Sequence, residues 1–217
     1  EINVKPLISH RFDLQEAESA YEKLNEESCL GILLDYKLNC AESNLKESIQ
    51  ISAADPVKVK NGNVAFIGAG NYASRVLIPA FKQAGASLTT IVTSGGISAV
   101  HYGKKNGFYS ASTNIEEALN ENTDTVVIAT QHNLHAEQTI AALESGKHVF
   151  VEKPLALNTK DAINSVKKCK EKKIFLAVGQ NRRFLSTYNY LKKIIDKNQL
   201  GKILHVEANF SGPSGFR

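Results

Sequence analysis

From Asn63 onward the chain alternates short apolar runs with amphipathic stretches of helical length. Runs such as VVIAT and FLAV are apolar at consecutive positions, as strands covered by helices on both faces require. This alternation predicts an α/β fold with a doubly wound, parallel Rossmann sheet. The predicted strands are Val64–Gly68, Leu88–Thr93, Tyr109–Ala111, Thr125–Ala129, His148–Val151 and Phe175–Val178. The predicted helices are Asn71–Ala84, Ile97–Asn106, Ile115–Asn120, Leu134–Ser145 and Thr159–Lys172.

The segments on either side of this pattern divide the chain further. Leu14–Leu24 has the pattern of an amphipathic helix and Leu30–Tyr36 that of a strand, so residues 1–36 form an N-terminal extension. Residues 37–60 carry no sustained period and predict a linker. A Rossmann domain follows over residues 61–180. Residues 181–217 begin an incomplete α+β second domain, with a helix at Thr187–Lys197 and a strand at Ile203–Phe210.

Composition and charge exclude several classes of protein. No run approaches the roughly 18 apolar residues of a membrane helix, and the first residues lack the basic-then-apolar-then-small order of a signal peptide, so we expect a cytoplasmic protein. The three cysteines lack metal or disulfide spacing. Residues 1–60 carry a net charge of −4 and the remainder +8, but the lysines follow helical spacing without interleaved aromatic residues. They predict solvated helix faces rather than a nucleic-acid surface. Because the chain contains no methionine, we expect a fragment of a longer protein.

A glycine motif lies at the end of the first Rossmann strand. In NVAFIGAGNYA, Gly68, Gly70 and Ala73 stand in G-x-G-x-x-A order, directly after a strand and directly before a helix. Such glycines allow a tight turn and a close approach of backbone to a pyrophosphate, and the helix that starts at Asn71 and Tyr72 directs its first amides at the phosphates. The motif predicts a bound nicotinamide dinucleotide.

The carboxylate that usually binds the adenosine ribose is missing. No Asp or Glu occurs from Asn71 to Ile115, and the second strand ends in Thr93, Ser94 and two glycines, with Lys104 and Lys105 further on. Without that carboxylate a 2′-phosphate is not repelled, so we predict that NADP is accepted at least as well as NAD. The alternative is that Thr93 or Ser94 hydrogen-bonds the free 2′-hydroxyl of NAD.

Four ordered motifs carry a resemblance to a known family. They are the glycine motif, VVIAT followed by His135, ESGKHVFVEKPLALN, and VGQNRRF. Over about Asn63 to Arg183 the chain resembles the Gfo/Idh/MocA oxidoreductases. The resemblance implies an NAD- or NADP-dependent dehydrogenase that acts on a sugar, a nucleotide sugar or a polyol.

The resemblance places Lys153 of the E-K-P motif beside the nicotinamide as the catalytic residue. Lys153 follows a buried strand, at the sheet edge where ligands of such folds bind, so we expect it to be partly desolvated and suited to general acid/base catalysis. Glu152 either contacts the cofactor ribose or pairs with a nearby lysine. Pro154 in this family often follows a cis peptide bond.

Further cofactor contacts are expected at the ends of neighbouring strands. Thr130 is the last residue of the VVIAT run, and the resemblance places His135 near the nicotinamide. His132 and His135 lack the further ligand that a zinc site needs, so no metal is predicted. Arg182 and Arg183 are candidates for substrate or cofactor contact, and we expect one of them to be only structural.

In this family a second domain supplies an aspartate and a histidine, which we expect beyond Arg217. The chain is therefore expected to bind cofactor without a complete active site, and the resemblance implies a homo-oligomer built through that second domain. Two other functions stay open: a non-catalytic regulator that binds a dinucleotide, and a lyase or glycosidase that uses NAD as a redox relay.

The N-terminal extension carries a second resemblance. Its segment KPLISHRFDLQEAESAYEKLNEESCLGILLDY resembles the C-terminal part of a zinc-type medium-chain alcohol dehydrogenase, which implies a two-enzyme fusion.

Overall fold

The computed structural model describes residues 3–24, 29–36, 46–52 and 62–208, which belong to two compact units, residues 1–47 and 48–217. In the first unit, strands β1 (His10–Asp13) and β2 (Ile32–Asp35) pair in parallel, and helix α1 (Ala17–Lys23) lies between them in sequence. A 3₁₀ turn, Leu14–Glu16, leads into α1 behind a capping box of Asp13 and Glu16. The predicted helix and strand of the N-terminal extension are therefore present.

The second unit contains a sheet of seven strands within the described residues, ordered β3-β6-β5-β4-β7-β8-β9. Six of them run parallel, and β3 pairs antiparallel with β6 at one edge. The strands are β3 (Ser48–Gln50), β4 (Asn63–Ile67), β5 (Ser87–Val92), β6 (Ser110–Ser112), β7 (Thr125–Ile128), β8 (His148–Val151) and β9 (Leu176–Val178). The parallel order is that of a doubly wound Rossmann sheet, as predicted.

Helices connect consecutive parallel strands and cover both faces of the sheet. They are α2 (Ile78–Gln83), α3 (Ile97–Asn106), α4 (His135–Glu144) and α5 (Thr159–Lys172), and α6 (Ser186–Asp196) follows the last strand. The predicted helix near Ile115 is a shorter 3₁₀ turn, Ile115–Ala118. No helix in the described part of the chain is both long enough and apolar enough to cross a membrane.

Strand β4 is buried along its whole length and divides the core into two layers. Phe66 contributes to the layer under α2 and α3, where it meets Phe81 and Phe108 edge-to-face at 5.6 and 5.8 Å. Ile67 contributes to the layer under α4 and α5. Since β4 carries apolar side chains on both faces, it takes the central position that a doubly covered sheet demands.

Two predictions about the flanking segments are wrong. The expected linker, residues 37–60, contains β3, whose backbone completes the edge of the sheet by pairing with β6; residues 37–45 and 53–60 lie outside the described residues. The expected strand at Ile203–Phe210 is not formed over residues 203–208, and residues 209 and 210 lie outside the described residues. An alternating pattern forms a strand only where a neighbour accepts its backbone hydrogen bonds. Within the described residues none pairs with 203–208.

The chain order places a switch point between β4 and β7. From β4 the connections run outward through β5 to β6, and from β7 they run the opposite way through β8 to β9. In open α/β sheets the crevice at such a point, beyond the carboxyl ends of the strands, is where ligands bind.

Candidate functional site

A cleft of about 500 Å³ lies at this carboxyl edge. Its walls come from the turn after β4, the loops after β7 and β8, and the segment after β9. The residues that line it are Gly70, Asn71, Tyr72, Ala73, Ala129, Thr130, His132, Glu152, Lys153, Asn181 and Arg182, with buried His135 directly behind. Most of the predicted site residues are therefore brought together.

Gly68 makes the tight turn that opens the cleft. Its φ of +102° is in the region that favours glycine, and its N–H donates a 2.8 Å hydrogen bond to the carbonyl of Val92. A Cβ at this position would lie against the carbonyl carbon of Ala129, at 2.7 Å. Close packing of β4 against the neighbouring β7 therefore requires glycine here.

Gly70 is different, because its hydrogen faces open space. An added Cβ would meet no protein atom within 4 Å, although Gly70 lines the cleft. The first helical hydrogen bond runs from the N–H of Ser74 to the carbonyl of Gly70, at 2.9 Å. The amides of Asn71, Tyr72 and Ala73 precede that bond and have no carbonyl one turn back. This arrangement suits an anion beside Gly70.

The helix after the glycine turn is not a regular α-helix. Ala73–Leu77 form a π-helical turn before α2, and the N–H of Ile78 donates to the carbonyl of Ala73, five residues back. Pro79 explains the turn, because proline has no N–H to donate and its ring displaces the carbonyl four residues earlier. Buried Ala73 stays packed against the sheet in spite of the wider turn.

The end of β5 holds the predicted ribose contacts, Thr93 and Ser94, but they are not part of the cleft wall. The Thr93 hydroxyl oxygen lies 3.2 Å from the Ser98 hydroxyl and accepts from the N–H of Gly96, also at 3.2 Å, so it caps the start of α3. The Gly96 amide is thereby occupied. Lys104 stands about 10 Å further along α3 at 1.5 Å per residue, away from the start of that helix.

The E-K-P motif follows β8 directly, and the peptide bond between Lys153 and Pro154 is cis, as expected. One Glu152 carboxylate oxygen, Oε2, accepts from the N–H of Lys153 at 3.3 Å, whereas buried Oε1 has no hydrogen-bond partner among the described residues. Lys153 is exposed rather than partly desolvated. The reason is that it leaves the sheet at the open edge of the cleft.

His135 begins α4 and has no exposed surface. Its Nδ1 lies 2.7 Å from the carbonyl oxygen of Pro154, and its Nε2 lies 3.2 Å from that of Thr130. The Thr130 hydroxyl in turn donates to the side-chain oxygen of Gln138 at 2.6 Å. These contacts connect the loops after β7 and β8 beneath the cleft.

The segment after β9 closes the remaining side. Arg182 lines the cleft and also a second opening of about 510 Å³, which Arg183, Phe184, Tyr188, Asn189 and Lys192 complete. The Arg183 guanidinium lies 5.9 Å from the ring centre of Phe184. Of the two arginines, Arg182 alone lines the predicted cofactor cleft in the described structure.

Sequence reasoning did not assign Ala129, His132 and Asn181 to the cofactor, although they line the cleft. Each follows a parallel strand by one to four residues, and this position after a strand end is the signal that could have identified them. Within the described residues no three metal-ligating side chains of His, Cys, Asp or Glu come together.

The cleft fits a dinucleotide on two observations. The open space at Gly70 lies beside the unpaired amides of a helix start, which suits a pyrophosphate. The unpartnered Oε1 of Glu152 leaves acceptor capacity in the same wall, which suits a ribose hydroxyl. None of the ion pairs seen among the described residues joins Glu152 to a lysine.

Comparison with known proteins identifies a family and several relatives of this chain. The model of the Gfo/Idh/MocA family, an oxidoreductase family with an NAD-binding Rossmann fold, matches residues 62–180. The 1,5-anhydro-D-fructose reductase of Ensifer adhaerens is 29% identical over 137 residues, 63% of this chain and 41% of the relative. The 2,7-anhydro-N-acetylneuraminate hydratase of Escherichia coli is 37% identical over 89 residues, 41% of this chain and 24% of the relative.

A solved structure shows the same likeness. The WlbA dehydrogenase from Bordetella pertussis, in complex with NADH and UDP-GlcNAcA, superposes with a TM-score of 0.60 at 29% identity. The match covers 64% of this chain and 43% of that one. The chain thus spans less than half the length of each of these proteins.

Proposed function

Because the chain belongs to the Gfo/Idh/MocA oxidoreductase family, we propose that it is the cofactor-binding part of an NAD(P)-dependent dehydrogenase. The proposed reaction moves a hydride between the nicotinamide ring and a hydroxyl or ketone carbon of a sugar, a nucleotide sugar or a polyol. One observation carries the proposal: a single cleft joins the open turn at Gly70 to Lys153.

Different residues of the cleft bind different parts of the cofactor. Gly68 shapes the turn, while Gly70 and the amides of Asn71 and Tyr72 receive the pyrophosphate. At the other end Glu152 accepts a hydrogen bond from a ribose hydroxyl, and Thr130 and Arg182 border the nicotinamide. When bound, the nicotinamide supplies the hydride acceptor or donor that the protein lacks.

Lys153 acts on the substrate oxygen. As an amine it accepts the hydroxyl proton during oxidation, and as an ammonium it returns that proton during reduction. Its exposure at the cleft edge lets a substrate approach it from outside the sheet. In the whole enzyme, Lys153→Ala is expected to lower kcat by about 10²-fold, with cofactor affinity changed little. Full turnover by that variant would remove Lys153 from the mechanism.

We propose that NADP is accepted at least as well as NAD. The absence of Asp and Glu from Asn71 to Ile115 supports this, because nothing there repels a 2′-phosphate. The ligands proposed for that phosphate are the Ser94 hydroxyl and the Gly95 amide, because Thr93 and the Gly96 amide already hydrogen-bond in the cap of α3.

Fluorescence titration of the chain with NADH and NADPH tests both statements. Saturable binding of at least one is expected, with NADPH bound no more weakly than NADH. If neither nucleotide binds, the proposed function is wrong. A clear preference for NADH contradicts only the statement about NADP.

The substrate class rests on the relatives. A reductase of 1,5-anhydro-D-fructose and a dehydrogenase bound to UDP-GlcNAcA both support a carbohydrate-type substrate. A second candidate function is a reaction that uses the cofactor as a redox relay without net change, and the hydratase among the relatives favours it. Absorbance of the reduced cofactor during product formation separates the two, because only the dehydrogenase changes it in proportion to product.

Two further parts of the proposal concern residues outside the Rossmann sheet. We propose that residues 1–36 correspond to the C-terminal part of a zinc-type alcohol dehydrogenase, supported by the order of α1 and β2. Zinc ligands encoded upstream of residue 1 are the expected observation.

We also propose a homo-oligomer formed through a second domain, which sedimentation of the whole protein would test.

A further inference from the structure

Buried His135 has no ring nitrogen left for a bound molecule. Nδ1 and Nε2 lie 2.7 and 3.2 Å from two backbone carbonyl oxygens, and the side chain has no exposed surface. A carbonyl oxygen only accepts, so each contact needs a proton on the imidazole. A cofactor contact, which the family resemblance implied for His135, would have to break one of these bonds.

The two carbonyls belong to opposite walls of the cleft. Thr130 follows β7, and Pro154 follows Lys153 beyond β8. Strands β7 and β8 are neighbours and their own ladder ends at Ile128 and Val151. The N–H of Glu152 still donates to the carbonyl of Ile128 at 2.9 Å. One residue further on, the ring of His135 contacts both loops. A second hydrogen bond, from the Thr130 hydroxyl to Gln138, fixes the β7 side to the same helix.

Lys153 needs such a link because little else holds it. Its side chain is exposed, and its N–H contacts the carboxylate of adjacent Glu152 only at 3.3 Å. The carbonyl of Pro154, one residue on, lies 2.7 Å from Nδ1 of His135. Placing an acid/base group within about 1 Å is worth large factors in rate, so a buried anchor next to Lys153 has a clear use.

We propose that His135 is a positioning residue, whose Nδ1–H bond to Pro154 fixes Lys153 at the cleft while Nε2 faces Thr130. The benefit to catalysis rests on the proposed function, but the connection between the loops does not. The Pro154 carbonyl can only accept, so the 2.7 Å contact places a ring proton on Nδ1.

Three substitutions of His135 test its contacts to Pro154 and Thr130 separately. The amide nitrogen of His135→Asn reaches the place of Nδ1 and can still donate to Pro154. The longer His135→Gln places its amide nitrogen near Nε2, toward Thr130. His135→Leu removes both donors and keeps the burial. Glu137→Ala, on the exposed face of the same helix, is the matched control for changes to α4.

Amide hydrogen exchange at Lys153 reports on the connection without any activity measurement, whereas the neighbouring Glu152 amide already donates to the carbonyl of Ile128. We expect faster exchange at least tenfold in His135→Leu, an intermediate rate in His135→Gln, and nearly wild-type rates in His135→Asn and Glu137→Ala. The NADPH dissociation constant is expected to follow the same order, with about a tenfold increase for His135→Leu. Labelled histidine should show a slowly exchanging proton on Nδ1.

Three results would overturn the positioning role: equal exchange in wild type and His135→Leu, no difference between the Asn and Gln variants, or an Nδ1 without a proton. If His135→Leu fails to fold, the Asn and Gln pair still decides the question. Should the wild-type chain bind no nucleotide while the exchange order holds, the proposed function fails and the positioning role of His135 stands.

Discussion

Tyr72 and Asn181 form a hydrogen bond between the two ends of the Rossmann domain. The Asn181 Nδ2 group donates to the Tyr72 hydroxyl at 2.8 Å, although 109 residues separate them in sequence. Tyr72 stands in the first helical turn after Gly70, and Asn181 follows β9. Both side chains line the cleft, so this bond joins its first and last walls.

Removing the Tyr72–Asn181 bond should speed cofactor release. Tyr72→Phe keeps the ring and loses the acceptor, and an exposed hydrogen bond of this kind contributes about 0.5–1.5 kcal/mol. We therefore expect the dissociation rate of NADPH to rise by a factor of roughly 2 to 12. Stopped-flow displacement of the fluorescent nucleotide measures that rate.

A double-mutant cycle provides the control for this bond. Tyr72→Phe and Asn181→Ala remove the same interaction, so the double variant should release the cofactor no faster than the worse single variant. Effects that add would show that the two side chains act on the cofactor separately.

Gly70→Ala should abolish nucleotide binding without loss of stability. The new methyl group meets no protein atom within 4 Å, and alanine restricts the unfolded chain more than glycine does. The thermal midpoint is therefore expected to stay the same or rise slightly. The methyl group nevertheless fills the space where a pyrophosphate would approach, so titration with NADPH should show no saturation.

Gly68→Ala, unlike Gly70→Ala, is expected to lower the stability of the fold, and it serves as the matched comparison. At a φ of +102° and against the carbonyl of Ala129, the added Cβ forces β4 away from β7. Unfolding in urea should show a loss of more than about 2 kcal/mol. Equal stability of the two alanine variants would contradict the distinct roles assigned to the two glycines.

Strand order and the position of the cleft were predictable because they rest on local signals. Apolar runs such as Val126–Ile128 identify buried strands, and Gly68 and Gly70 identify the turn by their spacing. The E-K-P and glycine motifs follow strands that are separated in sequence but end at the same edge of the sheet. Parallel topology then brings them together without further information.

Features that depend on a distant partner were not predictable. Ser48–Gln50 forms a strand because it pairs with β6 at the edge of the sheet. Residues 203–208 also alternate in sequence, but no strand among the described residues pairs with them. Lys104 lies in the last turn of α3, far from the start of that helix. Similarly, the positions of the two carbonyls beside His135 depend on the packing of loops that the sequence does not describe.

Gly179 makes room for the carboxylate of Glu152. A Cβ at Gly179 would meet the Glu152 side chain, with its carboxyl carbon at 2.9 Å. Gly179→Ala should therefore displace Glu152, lower the free energy of unfolding by about 1–3 kcal/mol and weaken nucleotide binding. Urea unfolding and fluorescence titration measure the two effects.

A second substitution shows whether the clash with Glu152 is the cause. In the Glu152→Ala background the shorter side chain leaves space, so adding Gly179→Ala should cost little further stability. If the cost in that background is as large as in the wild type, Gly179 is required for a reason other than Glu152.

Lys147 lies in the connection from α4 to β8, at the opposite edge of the sheet from the cleft. Its Nζ donates to the carbonyls of Asn120 and Thr123 at 2.7 and 2.8 Å. Burial lowers the pKa of Lys147 below its ordinary 10.5, and the charges of Asp124 and Glu121 offset this only in part. Below the folded-state pKa the folded and unfolded chains are both protonated here.

Between the folded-state pKa of Lys147 and 10.5, the unfolded chain holds more protons at this site than the folded chain. The free energy of unfolding therefore gains a positive slope with pH in that window. Lys147→Met removes the titration, so the wild type should become more stable relative to this variant as pH approaches 10.5, measured by paired urea unfolding. Lys160→Met, on exposed α5, controls for loss of a charge. A wild-type advantage that stays constant or shrinks as the pH rises would show that burial does not lower the pKa of Lys147. Nucleotide affinity should stay unchanged in both variants, because neither side chain lines the cleft.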